Sequence, residues 1–180
     1  MICTLDVVPD KTKRIKLKKI SEAEIDNFHE YSLQKEIYTH LEFDPFVKKS
    51  ETLTYLKKLL ERIKTKKADY RFLKFHESEE IVGLFGFHSF DEYRKSIEFG
   101  YGISPRHQKN GIFKEVTKHM INSLFMHTEI HRIYAYTSIN NIPSMRGMLS
   151  AGFIKEGEIR DYYLKDGVYF NAYLASRIKS

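Results

Sequence analysis

Ser104-Pro-Arg-His-Gln-Lys-Asn-Gly-Ile-Phe-Lys-Glu-Val-Thr-Lys-His-Met120 marks a change of hydrophobic period in the middle of the chain. Just before it, Ile97-Glu-Phe-Gly-Tyr-Gly-Ile103 alternates and is rich in aromatic and β-branched residues, as a strand is. Apolar residues then recur at Phe113, Val116, Met120 and Leu124, the spacing of one helix face. The order is therefore strand, tight loop, helix. At such a junction the first N–H groups of the helix lack internal partners and the helix dipole places partial positive charge there. A loop bending through Gly111 thus aims several donors at an anion, and Lys109 adds a full charge beside them. On these residues alone two readings stay open, a phosphate cradle or a glycine that eases a turn.

Downstream, His131-Arg-Ile-Tyr-Ala-Tyr-Thr-Ser138 reads as a strand and Asn141 to Ser150 as a short helix ended by Gly152. Phe153 to Leu164 and Val168 to Ile178 form a final strand pair joined at Asp166-Gly167. Upstream, the period is two from Tyr70 onward. Tyr70-Arg-Phe-Leu-Lys-Phe75, Ile81-Val-Gly-Leu-Phe-Gly-Phe87 and Lys95 to Ile103 are three successive strands, with a hairpin turn at His76 to Glu80. Ahead of them, Ser50 is placed to cap a helix with Leu53, Leu56, Leu60 and Ile63 on one stripe. Lys57, Lys58, Glu61, Arg62 and Lys64 form its solvated face. A first helix runs toward Gln34 from a capping box of Ser21 and Glu24, with Ile20 and Ile25 at the staple positions. In the loop Leu41-Glu-Phe-Asp-Pro45-Phe46, Phe43 and Phe46 plug the core edge or border a groove. Six of the nine residues from Lys11 to Lys19 are basic, interrupted by Ile15 and Leu17. With no aromatic interleaved for stacking, they read as a solvated edge strand and not as a nucleic-acid arm. The sum is a mixed α/β chain, one domain over residues 1–180, without repeat or linker.

The length is that of one domain, and apolar and aromatic fractions of 42% and 14% suffice for a sizeable core. The net charge of +6 suits nucleic acid, an acidic membrane surface or a polyanionic small molecule alike. The single cysteine, Cys3, excludes an internal disulfide and a Cys-based structural zinc site, and fits a reducing compartment. Met1 to Pro9 lacks a basic start and a long apolar core, so a cytoplasmic protein with neither signal peptide nor membrane span is expected. There is no G-x-x-x-x-G-K-[ST] and no Gly-rich dinucleotide fingerprint. His127-Thr-Glu-Ile-His131 sets two His four apart, but its Glu is one place late for the metalloprotease pattern, and no metal is expected.

Gln108-Lys-Asn-Gly111-Ile-Phe113 resembles the Gln/Arg-x-x-Gly-x-Gly/Ala signature of the GNAT acetyltransferase superfamily. Asn141-Ile-Pro-Ser144-Met-Arg146, followed by Gly152-Phe153, Glu156-Gly157 and Arg160-Asp161-Tyr162, is similar to the Asn-x-x-Ser-x-Arg…Gly-Phe…Glu-Gly…Arg-Asp run. That run marks the branch containing the ribosomal-protein N-terminal (alanine/serine) acetyltransferases. Two positions depart from the pattern: the small residue closing the loop is Phe113, and the frequent Gly after Gln108 is Lys109. The resemblance covers nearly the whole chain. It implies a GNAT-like, mostly antiparallel twisted sheet of about six to seven strands, splayed at a site for acetyl-coenzyme A, with about four helices on its faces. It also implies that Gln108, Lys109, Asn110, Gly111, Ile112 and Phe113 hold the pyrophosphate. Tyr101, Gly102 and Ile103 would bind the pantetheine arm, Asn141 its amides, and Ser144 would sit near the sulfur.

Acetyl transfer to an amine also needs a base and a proton for the departing thiolate. Glu98, in the strand that leads to the loop, is the candidate base. With a carboxylate's usual pKa near 4.3 it serves only where burial raises it. Its other readings are an exposed Glu or a partner of Arg94. Ser144 is the candidate acid, because Met148 stands where many relatives outside this branch carry a Tyr. Asn141 and Ser144 also read as helix capping, with Pro143 in the first turn. The expected acceptor is a primary amine, foremost a protein or peptide N-terminal α-amine. With a pKa near 8, such an amine is easier to deprotonate than a lysine or polyamine nitrogen. Amino sugars, sugar nucleotides, polyamines and aminoglycosides are alternatives, and a non-catalytic acyl-coenzyme A-binding regulator is one of another class. A monomer or homodimer is expected, without membrane or nucleic-acid partners.

Overall fold

The basic N-terminal run folds as β1 (Ile15–Lys19), with Ile15 and Leu17 buried and Lys19 exposed. In the computed structural model, which describes residues 5–180, β1 is one edge of a seven-stranded sheet. Cys3 and the first residues of the N-terminal segment lie outside the described residues. The other strands are β2 (Ala68–Phe75), β3 (Ile81–Asp91), β4 (Ser96–Ile103), β5 (Arg132–Ser138), β6 (Ile154–Lys165) and β7 (Val168–Ile178). The helices are α1 (Ile25–Ser32), α2 (Lys49–Lys64), α3 (Ile112–His127) and α4 (Ile142–Ser150). Strand order is β1-β2-β3-β4-β5-β7-β6, antiparallel everywhere except between β4 and β5.

That parallel pair is short. Ser96, Ile97 and Glu98 match Arg132, Ile133 and Tyr134, and there the pairing ends while both strands continue. The sheet is therefore splayed beyond Glu98. Alternation along β4 sends Ile97, Phe99 and Ile103 into the larger core, with Val116, Met120 and Leu124 of α3 and Met148 of α4. Glu98, Gly100 and Gly102 point to the other face. There α1 and α2 bring Phe28, Tyr31, Leu56 and Leu59 against Tyr70, Phe72 and Ile81 in a second, smaller core.

Two helix starts differ from expectation. Ser21 makes no side-chain cap, and Glu24 does not reach back to close a capping box. Its carboxylate turns inward to Lys74 Nζ at 2.6 Å and to Lys18. Two ammonium donors outbid one backbone N–H because charge-assisted bonds are roughly twice as strong. Ile20 and Ile25 still pack into one cluster. Helix α2 begins before Ser50: Lys48 is its N-cap, and Glu51 accepts the N–H groups of Val47 and Lys48 at 2.9 and 2.8 Å. Its inward stripe is Thr52, Leu56 and Leu59, while Leu53, Leu60 and Ile63 are only half-buried. The predicted solvated face of Lys57, Lys58, Glu61, Arg62 and Lys64 is exposed throughout.

The β6–β7 hairpin turns at Asp166 and Gly167, both with positive φ, as a type I′ turn requires. A bulge that alternation does not reveal interrupts β6. Arg160, Asp161 and Tyr162 stand opposite Asn171 alone, and Asp161 adopts φ 51°.

Candidate active site

Helix α3 starts at Gly111, whose φ of 73° suits a residue without Cβ. Glu115 N–H is the first to bond back, to Gly111 O at 3.0 Å, so Ile112, Phe113 and Lys114 present N–H groups without intrahelical acceptors. Lys109 sits at φ 61°, the conformation a glycine would take without strain. Gln108 Nε2 donates to Ile103 O at 3.1 Å and ties the loop to the end of β4. Arg14, from the chain leading into β1, binds Glu115 through Nε at 2.6 Å and reaches within 3.7 Å of where a Gly111 Cβ would stand. Nothing local in the sequence links Arg14 to this loop.

In front of the loop opens a cleft of about 480 Å³. It brings together Tyr101, Gly102, Ile103, Gln108, Lys109, Gly111, Ile112, Phe113, Asn141 and Ser144, all singled out from sequence. Asn110 is exposed and does not line it. Ile37, His40, Leu41 and Gly147 line it too, unforeseen. A cleft of about 430 Å³ along β1 is walled by charges already matched to each other, Lys19 to Asp6 and Lys74 to Glu79 among them.

Phe113 turns its ring toward α4, with its centroid 4.2 Å from that of Tyr101. The Tyr101 hydroxyl meets Ser144 Oγ at 2.8 Å. Burial pushes the Tyr101 phenol up to about 12, so it keeps its proton at neutral pH. Asn141 Oδ1 accepts the Ser144 N–H at 3.2 Å and caps α4, while both side chains remain on the cleft.

Glu98 lies on the opposite face of the sheet and does not line this cleft. Its side chain is 20% exposed. Burial raises its carboxyl above the ordinary carboxylate value, against the opposing pull of the Ser89 hydrogen bond and the Arg62 charge. His88 Nδ1 stands 3.6 Å from Glu98 Oε2. Burial and then Arg62 hold His88 down to about 4, so it is neutral at pH 7 and the contact is not an ion pair. Arg94 binds Asp91 at 2.7 Å, which removes it as the partner of Glu98. Glu98 and Ser144 thus flank the place where β4 and β5 part. Sequence reasoning did not foresee His88, because its nearness to Glu98 depends on the β3–β4 register.

Among the described residues, no group of three or more His, Cys, Asp or Glu is arranged to hold a metal ion. No helix is long and apolar enough to cross a membrane.

Residues 14–154 match the acetyltransferase (GNAT) domain. The chain is 26% identical over 168 residues to the uncharacterized N-acetyltransferase p20 of Bacillus licheniformis, covering 93% of this chain and 94% of the relative. It is 27% identical over 107 residues to the ribosomal-protein-serine acetyltransferase of Escherichia coli K12, or 59% of each chain. Its fold matches the crystal structure of spermidine N-acetyltransferase from Vibrio cholerae in complex with CoA and spermine with a TM-score of 0.77 and 17% identity. That match covers 92% of this chain and 95% of the other. With the family pattern matched over residues 14–154 and the sheet splayed beside the α3 N-terminus, the chain belongs to the GNAT acetyltransferase family.

Proposed function

We propose that the protein transfers the acetyl group of acetyl-coenzyme A to a primary amine by direct attack, and that its acceptor is a protein or peptide N-terminal α-amine. The observation that carries this reading is the arrangement around the splay. Helix-terminal donors and Lys109 lie on one face, the raised carboxyl of Glu98 lies on the other, and the β4–β5 ladder stops between them.

The residues fit the coenzyme. The N–H groups at the start of α3 and the Lys109 charge suit a pyrophosphate. The free edge of β4 from Tyr101 to Ile103 offers backbone groups for an amide-bearing arm, and Asn141 adds a side-chain amide at the mouth of the cleft. In the transfer, the lone pair of a neutral amine forms the C–N bond at the thioester carbonyl carbon, and the C–S bond breaks. One amine proton leaves to the Glu98 carboxylate, directly or through a water. The sulfur takes up a proton through the Ser144 hydroxyl in this reading; solvent reprotonates Ser144, and Glu98 returns the amine proton to solvent. Tyr101 keeps its own proton, so it can donate to Ser144 Oγ and leave the Ser144 hydrogen free for the sulfur. An α-amine suits a carboxylate base because its pKa near 8 leaves a useful neutral fraction at pH 7, which a lysine near 10.4 does not.

The test is acetyl-coenzyme A-dependent thiol release with N-terminal peptides, lysine derivatives, polyamines and amino sugars as acceptors. Turnover that is fastest on a free α-amine supports the reading. Coenzyme binding with no acceptor-dependent thiol release from any amine overturns it in favour of a non-catalytic binding protein.

A further inference from the structure

Glu98 shares its face of the sheet with a wall of tyrosines. Tyr134 is its register partner on β5 and Tyr136 follows on the same face, while Tyr162 and Tyr163 arrive from the bulge in β6. The rings of Tyr136 and Tyr162 stack with centroids 4.4 Å apart. Tyr163 meets Tyr162 edge-on at 4.9 Å, and Tyr134 meets Tyr136 edge-on at 5.8 Å. Tyr162 is 40% exposed, so the wall reaches solvent beside Glu98 and is not core filling.

The bulge is pinned for this purpose. Asn171 Oδ1 accepts the Asp161 N–H at 3.0 Å, and Asn171 Nδ2 donates to Glu158 at 2.6 Å. Three residues facing one bend the strand and re-aim Tyr162, the use to which bulges beside active sites are put.

The charge on this face is negative. After burial, the Glu98 charge raises the phenols of Tyr134, Tyr136 and Tyr162, and it also acts on Tyr163. Glu42 adds to the effect at Tyr162 and Tyr163. Neutral His88 does nothing to cancel it. Of the nearby cations, Arg62 is held over the Tyr70 ring at 5.8 Å, and Lys165, beside Tyr163 and Glu42, donates to Tyr38 O at 2.9 Å. Arg132 stands 5.8 Å over Tyr134, with its charge matched by Glu156 at 2.6 Å. The wall therefore already holds one guanidinium of the chain's own, which shows what its π faces accept.

We propose that the wall reads a second positive charge on the acceptor. The substrate is a primary amine that also carries a non-reacting ammonium or guanidinium group. That group rests on the outward face of Tyr162, whose other face is backed by the stacked Tyr136 ring, while the reacting nitrogen approaches Glu98. Rings attract a cation within about 6 Å of their centroids, whereas a neutral or acidic acceptor gains nothing from them and an acidic one is repelled by Glu98 and Glu42. The source that fits an α-amine acceptor is a polypeptide with Lys or Arg next to its N-terminal residue; a linear polyamine carries the same charge pattern and is the outcome the experiment distinguishes from it. The inference rests on the acetyltransferase reading of the same site.

The experiment measures kcat/KM at saturating acetyl-coenzyme A on two matched pairs, Ser-Lys-Ala against Ser-norleucine-Ala and spermidine against hexylamine. The peptide pair keeps the α-amine and removes one charge, and the amine pair keeps a primary amine and removes the two further charges of spermidine. We expect the charged member to be favoured about tenfold or more in one pair, which identifies the source, at about 1.4 kcal/mol per factor of ten. The ratio should fall to about threefold or less in Tyr162→Leu and in Tyr136→Leu, and return in Tyr162→Phe, which keeps the π face. Equal use of charged and neutral members in both pairs, or a ratio untouched by both leucine variants, overturns the proposal. A turnover-independent arm titrates the Nα-trimethylated forms of the two peptides into the protein with coenzyme A present. Tighter binding of the lysine peptide, weakened in Tyr162→Leu, supports the wall even if no amine is acetylated, in which case only the catalytic reading fails. No difference between the peptides, together with no preference for spermidine over hexylamine in turnover, overturns the wall.

Discussion

The Phe113 ring lies against Gly147, where a Cβ would stand 3.0 Å from both Phe113 Cδ1 and Cε1. A large residue in the first turn of α3 is thus matched by an absent side chain on α4, and the Phe ring lies in the gap between α3 and α4 beside Tyr101. Alanine in a helix interior is ordinarily better than glycine by about 1 kcal/mol, whereas overpacking costs about 1–3 kcal/mol. Gly147→Ala should therefore lower the melting temperature or leave it unchanged, while in a Phe113→Ala background the same substitution should raise it. Thermal melts of the four proteins of that cycle check the sign change, and a stabilising Gly147→Ala in the parent would show that Phe113 does not occupy the gap.

At the loop itself, backbone conformation and charge can be separated. Gly111→Asn places a residue that tolerates positive φ, and Gly111→Glu adds bulk and negative charge where the α3 donors point. Coenzyme A affinity by calorimetry should fall by tenfold or more in the Glu variant and remain within a few-fold in the Asn variant. Equal affinity in both, with both folded, would remove the loop from the coenzyme site.

The parts legible in the sequence are those fixed by local backbone. Gly111 at the start of α3, Pro143 behind the Asn141 cap and the Asp166-Gly167 turn each need only their neighbours. What stays hidden depends on which distant partner wins. Glu24 has the spacing of a capping box, yet Lys74, fifty positions on, takes its carboxylate. Arg14 reads as a surface cation until Glu115 draws it to the loop. Alternation along β5 places Tyr134 and Tyr136 on one face. Only the unreadable bulge in β6, a strand that does not even pair with β5, brings Tyr162 onto them.

The Glu24 network makes a prediction about acid stability. Burial alone would push the Glu24 carboxyl up, but hydrogen bonds from Lys18, Lys74 and Asn27 outweigh it and hold the pKa at about 2. A depressed folded pKa contributes stability that is present above the unfolded value near 4.3 and is lost as pH falls toward 2. Lys74 is 1% exposed, so Glu24→Ala leaves its ammonium buried with Glu79 as partner and should cost about 3–5 kcal/mol at pH 7. The pair Glu24→Leu with Lys74→Met should cost much less. Urea melts at pH 7 and pH 3 check both points: the Glu24→Ala deficit must shrink at the lower pH.

At Glu98, stability and the proposed role as base make predictions of opposite sign. Its folded pKa is raised by burial, so the ionised form is disfavoured by the fold, and stability is lost as pH rises from the unfolded value through the folded one. Glu98→Gln should therefore melt higher than the parent at pH 7 to 8, and the two should converge below about pH 4. His88 titrates in folding from its ordinary value near 6.5 down to about 4 and stands 3.6 Å from Glu98 Oε2, so the same pair is also compared in a His88→Asn background. In turnover the effect reverses. A base works only when deprotonated, so parental kcat should rise with pH through the raised carboxyl pKa. Glu98→Gln should lack that acidic limb and lose about a hundred- to ten-thousand-fold in kcat, with coenzyme affinity retained. Ser144→Ala should lose less and keep the limb, since a thiolate leaves readily near neutral pH and water can protonate it. A Glu98→Gln protein that is more stable at pH 8 yet keeps parental kcat and pH profile would separate burial from catalysis. Orientation of a free amine in the groove would then be the main source of rate.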